Sequence, residues 1–251
     1  MDRVERDVLG VKQGVLLEDV KVERLLPGEL RGVVEEMALR YQKLPVEPRL
    51  DKESGIIIAE ETGMSIDVDK TLAQIQAAAP GQEIKLEKII NHPRYRSEDL
   101  MNAAKDIAHY TTWFHGSSER YQNISTALKS VNNTVIWPGE VFSFNAATGP
   151  RTPERGYLPA PIILNGGYDV GYGGGVCQVS STVYNAALMA GLPIIERHGH
   201  SKPVHYVPEG KDATVDYGYL DLKYKNNRNG PLVIKASLHN GRIYVEIRGE
   251  K

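Results

Sequence analysis

Along the first ninety positions, the spacing of apolar residues switches between the periods of strand and helix. Around residues 11–22 apolar and charged residues are mixed as in a strand, whereas Leu30, Val33, Val34, Met37, Ala38 and Tyr41 fall at the spacing of an amphipathic helix over residues 30–44. A turn at Glu53-Ser54-Gly55 precedes a short apolar run at 56–59. Residues 65–79 begin with alternation and pass into a second helical pattern through Leu72, Ile75 and Ala79, which Pro80-Gly81 ends. Residues 83–90 read as a further strand, so the pattern predicts a small α+β domain over residues 1–95.

The turn Asn91-His92-Pro93-Arg94 marks the expected boundary, and residues 96–124 read as a helical connector. Helical spacing over 124–131 runs toward a turn at Trp137-Pro138-Gly139-Glu140. Beyond it, the richness in Gly and Tyr predicts short strands and shaped loops in a β-rich domain over 125–251. One helix interrupts it, following Cys177, with apolar positions Val179, Val183, Ala186, Ala187 and Ala190. The fold class expected is therefore α+β.

Composition narrows the possible partners. With 251 residues, 41% hydrophobic and 25% charged, the chain can build one large core or two modest ones. A net charge of −2 with scattered basic residues disfavours nucleic acid and anionic membranes as partners. No run approaches the roughly 18 to 20 apolar residues of a membrane span, and the first ten residues lack the apolar stretch of a signal peptide. One cysteine makes neither an internal disulfide nor a thiolate metal cluster, so no metal and no cofactor are expected.

That cysteine follows a run, Gly171 to Gly175, broken only by Tyr172. Glycines permit a sharp turn and a close approach, and they put Cys177 at a helix start, where unpaired amides and the helix dipole favour a thiolate over the free thiol with its pKa of roughly 8.5. The same amides suit an acyl oxyanion, a stabilisation worth about 3 kcal/mol per donor. Ser180, Ser181 and Thr182 are placed to bond the first turn. Three histidines follow, His198, His200 and His205, and the first two share a face if their segment is a strand. Three readings stand side by side: a nucleophile with a histidine base, a small buried hydrophobe beside histidines that merely bond backbone, and a zinc site from Cys177, His198 and His200 whose spacing fits no compact motif.

The residues Gly139-Glu140-Val141-Phe142-Ser143-Phe144-Asn145, Gly149-Pro150-Arg151, Arg155-Gly156-Tyr157, Gly173 to Thr182 with Tyr184-Asn185-Ala186, Glu196 to Ser201, and Tyr206-Val207-Pro208 with Gly210 and Asp212-Ala213-Thr214 stand in this order. In that run the chain resembles the VanW family over roughly residues 125–249. The first ninety or so residues more weakly resemble the peptidoglycan-binding domain that often precedes VanW domains in exported proteins. The family is bacterial and some members accompany vancomycin-resistance genes, so the resemblance implies an extracytoplasmic, cell-envelope role with peptidoglycan or its peptide fragments as partner. The absence of a visible signal peptide leaves a cytoplasmic location open.

Roles come from analogy with papain-like, NlpC-type and transglutaminase-like folds, where a cysteine at a helix start faces a histidine on a following strand and a polar residue on the next strand orients the ring. By that analogy Cys177 is the nucleophile, His198 or His200 the base, and Asp216, or else Asp221, the orienting group. Arg151, with Arg155, is the expected carboxylate clamp, although loop arginines are commonly solvated. Tyr157, Tyr168, Tyr172, Tyr184, Tyr206 and Tyr217 either line a groove or cover core edges. Gly174, Gly175, Gln178 and Ser180 bracket the thiol and are the remaining substrate-contacting positions expected. Two functions of different class follow: a thiol-dependent peptidase, amidase or transpeptidase acting on peptidoglycan stem peptides, or a non-catalytic wall-binding or scaffolding module. An accessible Cys177 within reach of a histidine distinguishes the first from the second.

Overall fold

In the computed structural model, which describes residues 2–164 and 167–250, the opening segments become helix α1 (Asp2–Leu9), strands β1 (Leu16–Leu17) and β2 (Val20–Lys21), and helix α2 (Pro27–Tyr41). The second helix starts three residues before its first predicted apolar position. Pro27 has no amide to leave unpaired in the first turn, and Glu29 reaches back to accept from the Leu26 amide at 2.9 Å. After strands β3 (Arg49–Leu50) and β4 (Ile57–Ile58) come β5 (Gly63–Ile66), helix α3 (Val68–Ala77), β6 (Glu83–Ile84) and β7 (Lys88–Asn91). The chain divides into two compact units, and residues 1–48 with 59–96 form the first. In it β1 pairs with β2 and β6, β5 pairs with β7, and Leu17, Leu30, Val34, Ile66, Leu72 and Ile75 meet in an apolar core. Asp67 caps α3 by accepting from the Lys70 amide at 2.9 Å.

Residues 49–58 and 97–251 form the second unit. The first unit ends at residue 96, while the β3–β4 hairpin of the first ninety residues belongs to this second unit. Lys52 explains why: its ammonium donates to the Ser130 and Asn132 carbonyls and to the Thr134 hydroxyl, satisfying acceptors at the end of helix α5 (Ser118–Val131). The expected helical connector at 96–124 is mostly something else. It supplies helix α4 (Ser97–Asn102), strand β8 (Lys105–Trp113) and only the first half of α5. Its Ala108 and Thr112 are buried while His109 and Trp113 face out, a strand pattern that the polar composition disguises.

The rest of the unit comprises β9 (Thr134–Ile136), β10 (Val141–Ser143), α6 (Phe144–Thr148), the hairpin β11 (Pro159–Leu164) and β12 (Gly167–Tyr172), helix α7 (Val176–Met189), β13 (Ile194–Glu196), β14 (Lys223–Lys225), β15 (Leu232–His239) and β16 (Arg242–Gly249). An antiparallel sheet in the order β8-β16-β15-β9 carries α7 against β8 and β16 and α5 against β15. Ile124, Leu128, Val179, Val183, Ile234, Val245 and Ile247 fill the layer between. A smaller sheet, β10-β14-β13, lies in the same unit. The fold is α+β, and among the described residues no helix is long and apolar enough to cross a membrane.

Candidate functional site

Helix α7 starts where the glycine run ends, and each glycine there has its own reason. Gly175 caps the helix with φ 108°, and Gly173 has φ 86°, both in the region side chains avoid. A Cβ on Gly174 would stand 2.5 Å from the Pro161 carbonyl oxygen, so β11 can approach only a glycine. Cys177 follows as the second residue of α7, in the range predicted from sequence, and is partly exposed to a cleft of about 870 Å³.

The polar residues on α7 face inward and fasten the segment opposite. Ser181 donates to the Cys177 carbonyl at 2.7 Å and accepts from the Ala213 amide at 2.8 Å, while Ser180 donates to the Ala213 carbonyl. Asn185 donates to the Lys211 carbonyl at 2.7 Å. These bonds fix residues 211–213, and Asp212 among them. Ser180, expected to touch substrate, is fully buried and holds backbone instead. Tyr157 is likewise fully buried in the core, its hydroxyl without a protein partner, and is not a wall of the cleft. Gly174, Gly175, Gln178 and Arg151 do line it, as do Tyr172, Tyr206 and Tyr217; the side chain of Tyr168 lies outside the described residues.

Of the histidines, His200 shares the thiol's cleft. Its Nδ1 donates to Asp212 Oδ2 at 2.5 Å, and the same oxygen accepts from the His200 amide at 2.6 Å. The His200 Nε2 lies 3.3 Å from the Tyr206 hydroxyl. Arg197 secures Asp212 from behind, donating to Oδ1 at 2.7 Å. Around the sulfur stand the Thr214 hydroxyl and the Val215 carbonyl, each at 3.6 Å. Burial pushes the Cys177 thiol up, but the nearby His200 together with Val215 and Thr214 more than reverses this and leaves its pKa below the ordinary value. Burial opposes charge on His200 too, and Cys177 and Asp212 together raise its pKa. Asp212, despite burial, is held below the usual carboxylate range by the bonds from His200 and by Arg197.

The other expected partners stand apart. His198 is directed to Glu196 Oε1 at 3.0 Å, on a carboxylate that Lys223 and His198 hold down at a pKa of about 2. His205 is exposed outside the cleft lining. Among the described residues no group of three His, Cys, Asp or Glu side chains could hold a metal. Asp216, the expected orienting group, lies exposed on the rim, and Asp221 caps α6 by accepting from the Asn145 amide and the Ser143 hydroxyl. The reason is register. His198 bridges Thr214 in antiparallel sense, which sets His200 across from Asp212, while Asp216 lies beyond Thr214 on the far side and turns into a bridge with Leu220.

Arg120 of α5 was not signalled by sequence spacing, since it lies far from Cys177 along the chain. In the fold it reaches the same cleft and donates to Gln178 Oε1 at 2.9 Å. Gln178 in turn donates to the Trp113 carbonyl at 2.7 Å, which ties the thiol's helix to the end of β8.

Cys177 at the start of α7 and His200, held by Asp212, belong to one cleft-bearing α+β unit. The family model for VanW-like proteins matches residues 119–248, and the chain belongs to the VanW family. It is 37% identical over 198 residues to the uncharacterized protein YoaR of Bacillus subtilis, covering 77% of this chain and 65% of that one. It is 31% identical over 134 residues to the vancomycin B-type resistance protein VanW of Enterococcus faecalis, covering 51% of this chain and 49% of the relative. The chain thus spans less than two thirds of the length of either. No solved structure matches it.

Proposed function

We propose that this protein works in the cell envelope as an acyl hydrolase or acyltransferase on peptidoglycan stem peptides, with Cys177 as nucleophile, His200 as base and acid, and Asp212 holding the imidazole. The observation that carries the reading is that His200, held by Asp212, lines the same open cleft as Cys177. A carboxylate fixed by Arg197 and two bonds from His200 selects the tautomer and stabilises the imidazolium, and the imidazolium keeps the thiol ionised. The envelope setting and the peptidoglycan substrate are supported by kinship with a protein named for vancomycin resistance.

The chemistry balances without a cofactor. The thiolate attacks the acyl carbon, the carbonyl electrons move to oxygen near the amides at the start of α7, and the C–N bond breaks as His200 passes its proton to the departing amine. Water or a second amine then attacks the thioester while His200 takes its proton, and the thiolate leaves. Incubation of wild type and Cys177→Ala with peptidoglycan muropeptides, followed by mass spectrometry, tests the reading. A trimmed or cross-linked product from wild type alone, with an acyl adduct on Cys177, is expected. Identical products from both proteins, or none from either while the muropeptides still bind, would replace it with a non-catalytic wall-binding role.

A further inference from the structure

Two guanidiniums line the thiol's cleft, and the glycine run seats them. A Cβ on Gly173 would lie 2.7 Å from Cγ of Arg151, and one on Gly175 would lie 3.1 Å from Cγ of Arg120. The two glycines on either side of Gly174 therefore make room for arginine stems as well as for a turn. Arg151 is held by donation to the Gly149 carbonyl and to Asn145 Oδ1, both at 2.7 Å, with Phe144 and Tyr217 rings 5.9 Å away. Arg120 bonds Gln178 and lies over Phe114 at 5.8 Å. Every partner among these is neutral.

Among the described residues neither arginine has a carboxylate within 4 Å, whereas Arg197 is paired with Asp212 and Lys223 with Glu196. The acidic groups that act on them from a distance are Tyr157, Cys177, Asp216 and Asp221 for Arg151, and Tyr206 and Cys177 for Arg120. Burial works against the charge of both, and a guanidinium cannot escape that cost by losing its proton. Two desolvated, neutral-partnered cations in one cleft form a receptor for an anion, and their planar forks suit a carboxylate.

We propose that Arg120 and Arg151 form an anion subsite that binds a carboxylate of the peptide whose acyl group is presented to Cys177. This rests on the thiol-enzyme reading for its placement of the reacting carbonyl, but binding does not require turnover. A stem peptide offers two sources of that group, its terminal carboxylate and an internal side-chain carboxylate.

The test is calorimetric titration of Cys177→Ala with three synthetic stem pentapeptides: one with both carboxylates free, one amidated at the C-terminus and one amidated on the internal side chain. One amidation is expected to weaken binding about tenfold, the loss of a charge-assisted bidentate contact, and thereby names the source. In the same background Arg120→Gln and Arg151→Gln are each expected to weaken the free peptide about tenfold and to leave the sensitive amide nearly unchanged. Arg151→Lys, which keeps the charge, should fall between. Arg151 also supports the 145–149 loop, so the comparison among peptides on the unaltered arginines decides the matter if its variants do not fold. Equal affinity for all three peptides, or no binding of any at millimolar concentration, would overturn the subsite. A carboxylate preference in Cys177→Ala alongside a wild type that forms no acyl adduct would keep the subsite and remove the chemistry.

Discussion

The unit of residues 1–48 and 59–96 and the unit that holds Cys177 bury different kinds of side chain. Among the described residues the first buries Thr71 as its one polar side chain, around a core of Val, Leu and Ile. The second buries Thr112, Asn123, Gln178, Ser180, Ser181, Thr182 and Asn185, five of these on α7 alone. Burying a polar group is costly unless its bonds are met, and here they are met largely by backbone that carries the site: the carbonyl of Cys177, both backbone groups of Ala213, and the carbonyls of Trp113, Gly174 and Lys211. The contrast teaches that the first unit is organised by apolar packing, whereas the second adds to its apolar core a polar network that fixes the segment carrying Asp212.

If that division holds, His200→Ala should have the largest effect, lowering acyl transfer by about 10²- to 10⁴-fold while the melting temperature changes little. Leu30→Ala, in the other core, should cost about 2–5 kcal/mol in chemical denaturation of the first unit and leave the alkylation rate of Cys177 in the folded protein unaltered. Asp212→Asn should do both things in part, slowing transfer and costing about 1.5–3 kcal/mol through its charge-assisted bonds. Its pH dependence has a definite sign. The lowered pKa of Asp212 contributes stability that is full above the ordinary 3.8 and lost as pH falls through the folded value. The raised pKa of His200 contributes stability that is full below the ordinary 6.5 and lost as pH rises through the folded value. The gap in melting temperature between wild type and Asp212→Asn should therefore be widest between pH 3.8 and 6.5 and narrow on either side. Asp67→Ala, which removes the cap of α3, should cost about 1 kcal/mol and nothing in thiol reactivity.

Much of this was legible in the chain and some was not, for identifiable reasons. The α7 start was legible because a glycine run followed by helical apolar spacing has few other meanings, and the α2 and α3 patterns survive because their apolar faces meet a core. Strand β8 was hidden by its polar content, since Thr112 bonds Thr182 inside the core rather than presenting an apolar face. Analogy with other folds points to Asp216 or Asp221; what sets Asp212 across from His200, a single bridge between His198 and Thr214, is a register that no local pattern encodes. Arg120 was invisible for a similar reason, because packing of α5 against the glycine turn brings it to a cleft built mostly from residues after 149.

The central claim, that His200 ionises Cys177, is tested most directly by the pH dependence of iodoacetamide alkylation in wild type and His200→Ala. Wild type should show an apparent thiol pKa clearly below the roughly 8.5 of free cysteine. In the variant burial persists while the contribution of His200 is lost, so the apparent pKa should rise from the wild-type value. A free-cysteine profile in both proteins would contradict the account.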